Sequence, residues 1–141
     1  MRKKISTNTL KATYGSVRLA GRLLESLQAV GYDLDRLSAA DLITFDELHV
    51  MGRQATVELG RLAGLTDAMR VLDIGSGLGG SARTLAAEFG CHVTGVDLSA
   101  EFVEAALVLS ERVGLAEMVD FILVSKVRDE PPAKPAVSIA L

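Results

Sequence analysis

The chain has 141 residues, is 49% hydrophobic and 23% charged, and carries a net charge of −3, which excludes a disordered, collagen-like or supercharged protein. Its single cysteine, Cys91, excludes an intrachain disulfide, and its two histidines, His49 and His92, stand too far apart for metal-ligand spacing. The negative balance and the 4% aromatic content argue against nucleic acid, whose recognition uses basic surface and stacking rings.

The first 24 residues carry Arg2, Lys3, Lys4, Lys11, Arg18 and Arg22, with no acid before Glu25. This composition suits either an organelle transit peptide or a solvated arm ahead of a first helix, and the arm is the expectation kept here. No run approaches the ~20 apolar residues that span a bilayer, so a cytoplasmic protein without a membrane partner is expected. From Val17 to Val30, Leu19, Ala20, Leu23, Leu24, Leu27 and Val30 keep a helical spacing, and Gly31 supplies a stop. Two capping-box patterns follow, Ser38 with Asp41 and Thr44 with Glu47. The second is expected to open a longer helix with the face Leu48, Met51, Ala55, Leu59 and Leu62, closed by Gly64. Residues 1–64 therefore read as a helical segment.

After Gly64 short β-branched runs alternate with helical ones: Arg70 to Ile74, Ser81 to Phe89, His92 to Val96, Ser99 to Val113, and Val119 to Val124. This βαβαβ order predicts an α/β fold with a parallel sheet of about three strands over residues 65–124. The tail from Ser125 to Leu141 loses all period and holds Pro131, Pro132 and Pro135, so it reads as irregular.

Four of the 13 glycines, Gly75, Gly77, Gly79 and Gly80, fall between the first predicted strand and its helix. Glycines there let the backbone turn through positive φ and let a ligand approach the main chain, while the helix that follows presents amides and a positive dipole end. The loop is thus expected to be anion-receptive. It satisfies the dinucleotide pattern G-x-G-x-x-G through Gly75, Gly77 and Gly80. Asp73, two residues before the first glycine, speaks against a dinucleotide: a carboxylate there repels a pyrophosphate but stabilises an ammonium group. Simple capping of loop amides is its alternative role. Asp97 follows the second strand, 22 positions after Gly75, where an acid hydrogen-bonds ribose hydroxyls. Its alternative is to cap the next helix, a task that Ser99 also suits.

Two segments, Val71-Leu72-Asp73-Ile74-Gly75-Ser76-Gly77-Leu78-Gly79-Gly80 and Val93-Thr94-Gly95-Val96-Asp97-Leu98-Ser99, resemble the class I S-adenosylmethionine-dependent methyltransferases. Phe45-Asp46-Glu47-Leu48-His49-Val50-Met51-Gly52 is similar to the N-terminal helix of small-molecule members of the sarcosine/dimethylglycine and phosphoethanolamine type. The resemblance covers roughly residues 42 to 123. It implies a Rossmann-like sheet, S-adenosyl-L-methionine as cofactor and a small-molecule methyl acceptor. It also implies that Gly75 and Gly77 pass against the methionyl part, with Ser76 and Gly79 in the same cofactor-binding loop. Asp73 would hold the amino group, Asp97 the ribose, and Leu98 would pack on the adenine. Residues 1–64, His49 included, would form a lid, and Cys91 would sit in the core. A nicotinamide-dinucleotide oxidoreductase is the competing reading, and a non-catalytic cofactor-binding remnant a third.

The sequence departs from the family's pattern in two ways. Val124 and Ser125 stand where the family places an acid or polar pair for the adenine amino group. The family's sheet has seven strands, so the expectation is a chain cut short or frame-shifted after the third. Arg70 to Ile74 would then be an open apolar edge that invites self-association. No residue stands out as a general base.

Overall fold

The computed structural model describes residues 18–46 and 51–124 and the backbone of a strand at 137–140. The basic arm before Arg18, His49 and the three prolines lie outside the described residues. Helix α1, Arg18–Ala29, buries Ala20, Leu24 and Leu27. It ends as expected at Gly31, whose φ of 99° lets the amides of Gly31 and Tyr32 return to the carbonyls of Gln28 and Leu27. The capping box of Ser38 and Asp41 is present: the Asp41 carboxylate accepts from the Ser38 amide at 2.8 Å and from its hydroxyl at 2.7 Å. It opens a 3-10 turn, Ala39–Leu42, that runs into the four-residue helix α2, Ile43–Asp46.

The single long helix expected from Thr44 does not form. Thr44 lies inside α2, and the next helix, α3, Gly52–Leu62, has Met51 as its N-cap at a left-handed φ of 66° and opens on Gly52 at 49°. A left-handed Met51 is not helical, so one continuous helix cannot run through it. The fully buried residues of α3 are Thr56, Val57 and Gly60; of the expected face Leu59 packs against the main core, while Met51 and Leu62 are exposed.

Strands β1, Arg70–Ile74, β2, His92–Asp97, and β3, Val119–Leu123, alternate with helices α4, Gly80–Phe89, and α5, Ala100–Arg112. All pairings are parallel, as the βαβαβ rhythm predicts. The tail departs from expectation. Residues 137–140 form a strand, β4, that pairs in parallel with β1 from Val71 to Ile74, giving the order β3-β2-β1-β4. The β1 edge expected to be open is therefore covered. A run this short, placed just after Pro135, carries too little period to read as a strand, and its pairing is wholly non-local.

The main core joins Leu65, Val71, Leu85, Val93, Val103 and Phe121 between the sheet and its helices, with Cys91 among them as expected. A second core of Leu24, Leu27, Leu37, Leu42 and Leu109 fastens the N-terminal helices to α5. Strand order reverses at β1, since the chain leaves it toward β2 and β3 and returns to its other side as β4. In open α/β sheets, ligands bind at such a switch point, outside the carboxyl ends of the strands.

Candidate functional site

Asp73, the fourth residue of β1, is 1% exposed and stands in register with Gly95 of β2. The chain then turns through Gly75, Gly77 and Gly79 at φ values of 75°, 53° and 83°. These glycines differ in what surrounds them. A Cβ added at Gly75 or Gly77 would meet nothing within 4 Å, so their bare faces look onto open space. A Cβ at Gly79 would strike the Phe121 ring and lie 3.0 Å from Arg83, and one at Gly80 would strike the backbone of Asp46. The first pair leaves room for a ligand, while the second lets protein pack against the loop.

The loop is held from within. The amides of Gly75 and Ser76 both donate to the Val96 carbonyl, at 2.8 and 3.1 Å, and that of Gly79 to Ser76 at 2.8 Å. The Gly77 amide donates to Asp97 Oδ2 at 2.9 Å, while Asp97 Oδ1 accepts from the Ser99 amide at 2.9 Å. These four amides already have acceptors in the chain, so an anion at this loop would have to draw on other donors. A buried carboxylate beside bare glycine faces favours an ammonium-bearing ligand over a pyrophosphate.

Ser76 is 9% exposed, and its Oγ has no hydrogen-bond partner among the described residues. Such a buried hydroxyl is suited to a ligand group. Gly95 leaves space for Ser76 and Phe121, since a Cβ on it would come within 2.7 Å of both. Along the same edge Ile74, Leu98 and Leu123 end or follow three neighbouring strands and are 49%, 67% and 43% exposed. Leu123 is in register with Asp97 and Ile74 with Val96, one position earlier, so these two side chains lie on opposite faces of the sheet. Ser99 caps α5, its hydroxyl accepting from the Phe102 amide at 3.3 Å. His92 begins β2, at the opposite end of the sheet from the loop.

The structure thus brings Asp73, Gly75, Ser76, Gly77, Asp97 and Leu98 to one end of the sheet. The side of Gly79 faces the protein, so any ligand contact it makes is through its backbone. Sequence reasoning missed Arg83 and Asp46. Arg83 is 1% exposed and donates to Asp46 Oδ2 at 2.6 Å, to the Leu78 carbonyl at 2.7 Å and to Ser110 Oγ at 3.0 Å. An arginine amid Ala82, Leu85 and Ala86 on a helix face was the available signal.

Residues 71–137 match the family model of the methyltransferase domain. This segment belongs to the methyltransferase domain family. The chain is 38% identical over 60 residues to sterol methyltransferase-like 1 of Botryococcus braunii, covering 43% of this chain and 15% of that protein. It is 52% identical over 42 residues to the glycine/sarcosine/dimethylglycine N-methyltransferase of Actinopolyspora halophila, covering 28% and 7%. In three dimensions it resembles a methyltransferase from Thiobacillus denitrificans solved with S-adenosyl-L-homocysteine, with a TM-score of 0.57 at 34% identity over 62% of this chain and 36% of that one. The matched stretches span under a fifth of the length of these curated relatives. Among the described residues no helix is long and apolar enough to cross a membrane, and no cluster of three or more His, Cys, Asp or Glu is placed to hold a metal.

Proposed function

We propose that this methyltransferase segment binds S-adenosyl-L-methionine and serves methyl transfer to a small molecule. One observation carries the reading: the bare faces of Gly75 and Gly77 open beside the buried carboxylate of Asp73, in a loop whose Gly75, Ser76, Gly77 and Gly79 amides are already bonded. The same residues fit the group. Asp73 holds the ammonium of the methionyl part, and Ser76 Oγ donates to its carboxylate. Asp97, with one amide on each oxygen, keeps lone pairs for ribose hydroxyls. Leu98, 67% exposed just after Asp97, packs on the adenine. When bound, the cofactor supplies an electrophilic methyl group on its sulfonium. The chain's own residues then orient it, a contribution that can reach about 7–11 kcal/mol of a transfer barrier. The N-terminal helices act as the cover that excludes water.

Isothermal calorimetry with S-adenosyl-L-methionine, and with NADH as the competing ligand, tests this. Binding of the first alone is expected, weakened at least about tenfold in Asp73→Ala, since a hydrogen bond to a charged group contributes about 1.5–3 kcal/mol. Binding of NADH alone, or an Asp73→Ala chain with unchanged affinity for S-adenosyl-L-methionine, would overturn the reading.

A further inference from the structure

We infer that Arg83 is a positioning residue for the glycine loop and that Asp46 sets its hold, so that the seating of the N-terminal helices controls affinity at the loop. As far as it concerns affinity, the inference rests on the reading that the loop binds S-adenosyl-L-methionine. The side chains of Arg83 and Asp46 are 1% and 3% exposed. Arg83 spends both Nη2 protons on two elements at once, one on Asp46 Oδ2 at 2.6 Å and one on the carbonyl of Leu78, inside the loop, at 2.7 Å. Its other terminal nitrogen donates to Ser110 Oγ at 3.0 Å and the Ala106 carbonyl at 3.3 Å, anchoring the head to α5. The planar fork thereby fixes three parts of the molecule in one geometry, which a lysine's single nitrogen does not reproduce. Gly80 completes the joint. It has no side chain where the Asp46 backbone rests on the start of α4. Asp46 in turn closes the segment whose Leu42 is packed in the second core with Leu27 and Leu109. The loop and the N-terminal helices are therefore joined through one buried charge pair, and coupling between two such sites is reciprocal.

Asp46→Asn keeps the shape and one acceptor oxygen but removes the charge. Val119→Ala, at the opposite end of the sheet, serves as a variant destabilised away from the joint. In ligand-free protein, hydrogen exchange at the amides of Gly75, Ser76, Gly77 and Gly79 should be about tenfold faster in Asp46→Asn than in Val119→Ala of matched melting temperature. Equal exchange would overturn the inference. Where both fold, the dissociation constant for S-adenosyl-L-methionine should rise about tenfold in Asp46→Asn and stay unchanged in Val119→Ala; equal values would also overturn it. Should Asp46→Asn fail to fold, the wild-type chain decides. Amides of Ala39–Leu42 and of the loop should then share one opening free energy across denaturant concentrations, and two separate values would refute the coupling. A wild-type chain that ignores S-adenosyl-L-methionine refutes the ligand reading alone, because the ligand-free exchange still reports on the joint.

Discussion

At the scale of single residues, the glycine-rich loop is two devices written in one letter. Gly77→Ala places a methyl group at φ 53° in open space, a left-handed conformation that costs about 1–2 kcal/mol for an L-residue. Gly80→Ala has no such backbone conflict but drives its methyl into Asp46, an overpacking of about 1–3 kcal/mol. Melting curves should show both variants losing a few degrees. Calorimetry should show the first losing ligand affinity by direct obstruction, and hydrogen exchange should show the second loosening Ala39–Leu42. Cys91 gives a further check on the core. It is 0% exposed, burial pushes its thiol pKa up, and its Sγ lies 3.5 Å from the Leu85 carbonyl. A thiolate reagent at neutral pH should label it only at the rate of unfolding; rapid labelling of the folded chain would contradict its placement. That Asp73, Gly75, Gly77 and Asp97 meet at one end of the sheet was legible in the sequence because their placement follows from spacing along two predicted strands and the loop between them. Arg83 and Asp46 were not, because 37 positions separate them and only folding brings their charges together.

At the scale of elements, glycine punctuation was the most legible feature. Gly31, Gly64, Gly90 and Gly114 each stand at positive φ just past a helix, where the sequence places helix ends. Capping boxes were less decisive, since Ser38 and Asp41 made one but for a 3-10 turn, and Thr44 did not start a helix. A local hydrogen-bond pattern fixes where a turn begins but says little about how far it continues. The left-handed Met51 that interrupts the expected helix leaves no mark in the sequence, because no glycine or asparagine occupies that position. The Ser38 turn carries its own pH signature. The Ser38 amide, and secondarily its hydroxyl, hold the Asp41 carboxyl below its ordinary value. A depressed pKa stabilises the folded chain fully above the unfolded value of ~3.9 and loses that effect as pH falls through the folded value. Asp41→Asn should therefore melt below wild type at neutral pH, and the gap should close at lower pH, below the folded pKa. A gap that persists there would mean that the carboxylate's charge is not what tightens the turn.

At the scale of the whole molecule, β4 decides how the sheet is finished. Val71 and Leu72 are 2% and 6% exposed, and β1 occupies the middle of the order β3-β2-β1-β4. The buried Asp73 and the turn into the glycine loop both depend on that strand being held on two sides. Four residue pairs join β1 to β4, and backbone bonds that each contribute about 0.5–1.5 kcal/mol net make the cover worth about 3 kcal/mol. Ending the chain at Val124 should then lower the melting midpoint by about 10 °C. It should also expose a row of backbone donors and acceptors on an apolar strand, the arrangement that pairs with a second chain. Sedimentation over a range of concentrations should show the shortened chain self-associating where the full chain does not. A shortened chain that stays monomeric and melts unchanged would remove β4 from the account. With it would go the switch point between β1 and β4, the feature of the topology that places the glycine loop where a ligand can reach it.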